Sequence, residues 1–104
     1  MKTLVIVDVQ NDFVPGGALE VPLGDEIVGV INKIQERFDL IVATQDWHPA
    51  NHVSFASNHR GKQPFDKIDL YDEEQVLWPD HCVQGTPGAM LHPDLDTIRF
   101  SAIF

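Results

Sequence analysis

Apolar positions along the chain follow two patterns. Over residues 3–9 the run Thr3-Leu-Val-Ile-Val-Asp-Val9 is nearly continuous and β-branched. A run without alternation predicts a strand covered on both faces, as in a parallel sheet. Over residues 24–38, Ile27, Val30, Ile31, Ile34 and Phe38 recur at helical spacing, which predicts an amphipathic helix. Asp25 and Glu26 in its first turn and Lys33 and Arg37 near its end complement the helix dipole. A second strand is expected over residues 39–44, where Leu40-Ile-Val-Ala43 is apolar. Strand, helix, strand reads as a right-handed βαβ unit. Its strands then end at the same edge, which brings Asp8 and Asp46 together.

The remainder is less periodic. Pro15-Gly16-Gly17 marks a loop over residues 10–23. Residues 47–76 show no clean period, and Asp72-Glu-Glu74 reads as an acidic surface run. A loop this long inside a compact domain is usually functional. Met90, Leu91 and Leu95 would anchor a short helical turn, and residues 98–104, with Phe100 and Ile103, read as a third strand.

Composition narrows the function. At 104 residues the chain holds one small domain. A net charge of -9, from 7 basic and 16 acidic side chains, argues against nucleic acid and anionic membranes as partners. A small neutral or cationic ligand fits better. Cys82 is the only cysteine, so no intrachain disulfide forms, which fits a reducing cytoplasm. No apolar run reaches the length of a bilayer span.

The chemistry concentrates in Thr44-Gln-Asp-Trp-His-Pro-Ala-Asn-His52 and Leu77-Trp-Pro-Asp-His-Cys82. Asp46, His48 and His81 offer carboxylate and imidazole ligands for a divalent metal such as zinc, iron or manganese. The place agrees with the rule that ligands bind beyond the carboxyl ends of parallel strands. His52 would share a face with His48 only in a helix, which Pro49 opposes. His59 and His92 sit among loop residues. Asp8 is either a local cap for the following loop or a general base. On spacing alone, Phe13 plugs the core. Cys82 suits a nucleophile by type, but it adjoins a candidate ligand and follows no strand-to-helix turn that would lower its pKa. A structural role is favoured for it. Three ligands with an open position would suit a metal-activated hydroxide with Asp8 as base.

Together these stretches resemble the nicotinamidase (pyrazinamidase-like) branch of the isochorismatase-like cysteine hydrolases. The matching pieces are Val7-Asp-Val-Gln-Asn-Asp-Phe13, Pro15-Gly-Gly-Ala18, Thr44-Gln-Asp-Trp-His-Pro49, Asn51-His-Val-Ser-Phe55 and Leu77-Trp-Pro-Asp-His-Cys-Val-Gln-Gly-Thr86. Other branches share the first piece but usually lack the metal pair. The resemblance implies an α/β fold, a mostly parallel sheet with flanking helices in a Rossmann-like three-layer arrangement. It implies hydrolysis of nicotinamide, or a similar carboxamide, to the acid and ammonia through a cysteine thioester. Asp8 would be the catalytic aspartate. Asp46, His48 and His81 would bind one divalent metal, zinc before iron or manganese, that orients the pyridine ring. His52 matches a ligand of only some members. Phe13 and Trp78 would flank the ring.

The family's lysine and nucleophilic cysteine lie beyond a third strand, and residues 1–104 reach neither. Cys82 matches the cysteine of the Trp-Pro-x-His-Cys element instead. The resemblance therefore implies a single domain truncated after the third strand, with the whole metal site and no activity of its own. A bare edge strand at residues 98–104 invites a homo-oligomer or a complementary chain.

Overall fold

The computed structural model describes all 104 residues. Strands β1 (Thr3–Val7) and β2 (Leu40–Thr44) pair in parallel, with Thr3 opposite Leu40 and Val7 opposite Thr44. Helix α1 (Ile27–Ile34) connects them. The parallel unit expected from the apolar pattern is therefore present. Asp8 and Asp46 leave the sheet at its carboxyl edge.

Helical turns span residues 24–37, but only Ile27–Ile34 is α-helix; Gly24–Glu26 and Gln35–Arg37 are 3₁₀ turns. The buried face also differs from the expected one. Val28 packs with Ile6, Val9, Ile41, Ala43 and Leu95, and Ile31 and Phe38 lie against this cluster. Ile27 and Val30 stay exposed. Gln35 is buried instead, donating its amide to the Asp96 carbonyl at 2.9 Å. The apolar stripe of α1 is thus wider than the sheet it covers.

Side chains alternate along a strand. Leu4 and Ile6 face the core under α1, so Val5 and Val7 point the other way. These two are 54% and 64% exposed. Within these residues the sheet is covered on one face, and the third layer has no element.

The third strand is shorter than expected. Strand β5 (Ala102–Ile103) pairs in parallel with Val42 and Ala43 of β2, giving the order β1-β2-β5. Ile98 is 92% exposed and lies outside the strand. A hairpin that the pattern did not reveal joins β3 (Lys67–Leu70) to β4 (Glu73–Val76) in antiparallel register. Its turn residues, Tyr71 and Asp72, have φ of 52° and 65°, as a two-residue hairpin turn of the right twist requires. Part of the acidic run is therefore strand. The helical turn expected around Met90 falls earlier, as a 3₁₀ turn over Pro87–Ala89. Leu91 instead forms an antiparallel bridge with Gln10, and Leu95 enters the core. No helix is long and apolar enough to cross a membrane.

Candidate metal centre

Three segments meet beyond the carboxyl ends of β1 and β2. The first begins at Asp8, whose φ of 52° is left-handed, a region that aspartate enters more readily than most residues. Its carboxylate Oδ1 accepts the Thr44 hydroxyl at 2.6 Å. Its N–H donates to Thr44 Oγ1 at 3.1 Å and to the Thr44 carbonyl at 3.3 Å. Thr44 therefore fixes both the backbone and the carboxylate of Asp8. Asp8 also lines a cavity of about 350 Å³ with Phe13, Val7, Val9, Val21 and Ile27.

The second and third segments carry Asp46, His48 and His81, whose ligand atoms lie within 4.8 Å of one another. His48 Nε2 is 3.2 Å from Asp46 Oδ1, and His81 Nε2 is 3.6 Å from Asp46 Oδ2. The other ring nitrogens settle the tautomers. His48 Nδ1 faces the His81 carbonyl at 3.2 Å, and His81 Nδ1 faces the Pro79 carbonyl at 2.7 Å. A carbonyl only accepts, so each Nδ1 carries the hydrogen. In the neutral form that metal binding requires, each ring then turns the Nε2 lone pair towards the carboxylate. Three acceptors converging on one point fit a cation, and backbone partners on the far nitrogens are the usual support of imidazole ligands. The donor set can hold a divalent metal ion.

The surroundings hold these ligands in place. His48 N–H donates to the Cys82 carbonyl at 2.8 Å, and Gln84 N–H donates to the His48 carbonyl at 2.8 Å. This parallel bridge ties the two ligand segments together. Phe55 is fully buried beneath them, its ring 5.2 Å from that of His48 and 5.4 Å from that of His81. Asp12 braces the same place from the β1 side. Its carboxylate accepts Cys82 N–H at 2.7 Å and Ala18 N–H at 3.1 Å. A Cβ at Gly88 would collide with that carboxylate.

Cys82 sits inside this arrangement, fully buried and with a left-handed φ of 47°. Burial first, then the charges of Asp46, Asp12 and Asp8, push its thiol from 9.0 up to about 12. Such a thiol is a poor nucleophile at neutral pH, consistent with the structural role expected for it. A pH dependence follows. The folded thiol keeps its proton to about pH 12, whereas an unperturbed thiol loses it near 9.0. Above that pH the unfolded chain binds fewer protons, so stability falls as pH rises through the window. Denaturant titrations of the metal-free protein on either side of pH 9.0 should show this slope, and Cys82→Ala should lack that component. Identical slopes in both proteins would contradict the buried-thiol account.

The remaining expected residues are placed as follows. Phe13 lines the Asp8 cavity, and its ring centroid is 5.7 Å from that of His81. Trp78 is half-buried and packs its ring edge-on to Phe65 at 5.9 Å; it does not line that cavity. His52 lies 4.8 Å from His48 between ring centroids, outside the three-residue cluster. Its Nδ1 accepts Ser54 N–H at 3.1 Å, so a neutral His52 carries its hydrogen on Nε2. Sequence reasoning did not single out Gln10, Asp12, Thr44 or Phe55. All four lie inside the motifs around Asp8, Asp46 and His52, and their polar or aromatic character beside those residues was the available signal.

The isochorismatase domain model matches residues 2–99. A nicotinamidase of Acinetobacter baylyi is 63% identical over 93 residues, covering 89% of this chain and 44% of that protein. The structure of an Acinetobacter baumanii nicotinamidase superposes with a TM-score of 0.92 at 54% identity, covering 97% of this chain and 49% of the other. A pyrazinamidase of Pyrococcus horikoshii, solved in complex with zinc, superposes with a TM-score of 0.67 at 43% identity, covering 96% and 49%. The chain spans about half the length of the curated relatives it matches. With the domain model matching nearly end to end and the parallel sheet and its carboxyl-edge cluster in place, the chain belongs to the isochorismatase family.

Proposed function

We propose that this chain supplies the metal-binding and proton-transfer side of a nicotinamidase-type amidohydrolase, converting nicotinamide to nicotinate and ammonia. The observation that carries the reading is the convergence of Asp46, His48 and His81 in the same neighbourhood as Asp8. Both Asp46 and Asp8 act electrostatically on the one thiol between the segments. Relatives 63% and 50% identical to this chain are nicotinamidases, which supports the same reading. The metal is zinc, with iron or manganese as alternatives; the nitrogen and oxygen donors suit these ions, and the Pyrococcus relative holds zinc. When bound, the ion would hold and orient the pyridine ring through its nitrogen.

The residues then divide the work. Asp46, His48 and His81 hold the ion. Phe13 and Trp78 present aromatic faces to the flat ring. Asp8 takes the proton of the attacking thiol and returns it to the leaving nitrogen, so that ammonia departs as the thioester forms. Water then releases nicotinate. The attacking cysteine is not Cys82, whose thiol is buried and held protonated. The cysteine and the lysine of this chemistry are assigned to the half of the relatives that this chain does not span. The enzyme acts in the cytoplasm.

A second reading concerns the chain by itself. Val5 and Val7 are exposed on the uncovered sheet face, which favours a metal-binding module that pairs this face with another polypeptide. A related carboxamide in place of nicotinamide is the nearest variant of the first reading.

Ring binding tests the substrate class. Nicotinamide added to the zinc-loaded chain should quench tryptophan fluorescence saturably. Trp78→Ala should weaken binding about two- to tenfold, the equivalent of the roughly 0.5–1.5 kcal/mol that an aromatic pair adds beyond burial. An unchanged constant removes Trp78 from the site. Ammonia release by the chain alone that disappears in Cys82→Ala would make Cys82 the nucleophile and overturn the assignment.

A further inference from the structure

One buried amide holds the backbone of Asp46 on both sides. Gln10 has no exposed surface. Its Oε1 accepts Asp46 N–H at 2.8 Å, while its Nε2 donates to the Asp46 carbonyl at 2.7 Å. The second Nε2 hydrogen goes to the Ala89 carbonyl at 2.8 Å. One N–H and two carbonyls leave only one way to orient the amide, and every hydrogen on it is used. Gln10 is itself anchored. Its N–H donates to the Asp8 carbonyl at 3.0 Å, and it bridges to Leu91 in antiparallel fashion.

Asp46 lies past the end of β2, where no ladder holds it. Its neighbour Gln45 is tied to the Phe104 carbonyl at 2.8 Å, and His48 is tied to Cys82. Between these anchors, both backbone hydrogen-bonding groups of Asp46 are occupied by the Gln10 side chain. Asp8 and Gln10 leave the same strand end two positions apart. The amide therefore also joins the Asp8 segment to the Asp46 segment.

We infer that Gln10 is a positioning residue of the metal centre: by clamping the N–H and carbonyl of Asp46, it sets where that carboxylate meets His48 and His81. The inference rests on the metal reading above. Without the clamp, the carboxylate must be ordered when the ion binds, at a cost in affinity. A structural role alone predicts something different. Gln45 also donates to the Ala89 carbonyl, at 2.9 Å, and its side chain is not bonded to Asp46. Losing that amide should cost stability and leave the metal alone.

The test is a cobalt(II) titration, with visible absorption reporting ligand geometry, followed by zinc(II) competition against a chelator. Gln10→Met removes the clamp at similar volume. Its zinc affinity should fall about 10–100-fold, the loss typical of outer-shell partners of metal ligands, and the cobalt spectrum should change. Gln45→Met should keep wild-type affinity and spectrum. Gln10→Glu retains the acceptor for Asp46 N–H but sets a carboxylate against two carbonyls. It should also lose affinity, and it decides the matter if Gln10→Met does not fold. Wild-type affinity and spectrum in a folded Gln10 variant would overturn the inference while leaving the metal reading intact. A wild-type chain that binds neither cobalt nor zinc would overturn the metal reading, and the inference with it.

Discussion

Asp8→Asn, in an enzyme that joins these residues to the cysteine-bearing half of the fold, should lower turnover by about 10²–10⁴-fold, the usual contribution of a general acid–base group. Its melting temperature should barely move. Asparagine enters the left-handed region as readily as aspartate, so the φ of 52° at residue 8 survives the change. The amide oxygen still accepts the Thr44 hydroxyl now bonded to Oδ1 at 2.6 Å. What disappears is the group that, in the mechanism proposed above, takes the thiol proton and passes it to the leaving nitrogen. Steady-state kinetics beside a thermal melt separate the two effects. Turnover at the wild-type rate would remove Asp8 from the mechanism; a large drop in melting temperature would make it a structural cap.

The parallel pair and its carboxyl edge were legible because they rest on local pattern. An apolar run at residues 3–9 and another at 40–43 need no knowledge of distant partners, and they alone bring Asp8 and Asp46 to one edge. The trio Asp46, His48 and His81, which the fold brings together, was legible from residue type and motif. The supporting residues were not. Gln10 bonds Asp46 and Ala89, and Asp12 bonds Cys82. Gln10 is buried and Asp12 half-buried, and the placement of each makes sense only once a remote backbone group lies opposite it. The hairpin over residues 67–76 was hidden for a different reason. Lys67-Ile-Asp-Leu70 alternates, but over four residues only, Glu73-Glu-Gln-Val76 does not alternate, and Tyr71-Asp72 is not the Asn-Gly or Asp-Gly pair that usually marks such a turn. Helix α1 shows the limit of periodicity. Its apolar stripe was visible, but which part of it would be covered depended on the extent of the sheet, and Val28 was buried where Ile27 and Val30 were not.

The largest effect on binding is expected at His81. Of the three candidate ligands it is the most buried, with 6% exposure, and the Pro79 carbonyl at 2.7 Å already holds its ring in the ligating tautomer. Removing the imidazole leaves Asp46 and His48 with one acceptor fewer around the ion. Its loss should exceed the roughly 10–100-fold in affinity that a missing outer-shell partner costs. His52→Ala should change far less, because its Nδ1 is engaged by Ser54 N–H. Circular dichroism of each variant shows whether it is folded before metal is added. The deciding measurement is the metal content of the purified chain after equilibration with zinc(II) and gel filtration. The account predicts one equivalent for the wild type and for His52→Ala, and almost none for a folded His81→Ala. Equal metal in His81→Ala and the wild type, or none in the wild type, would contradict it.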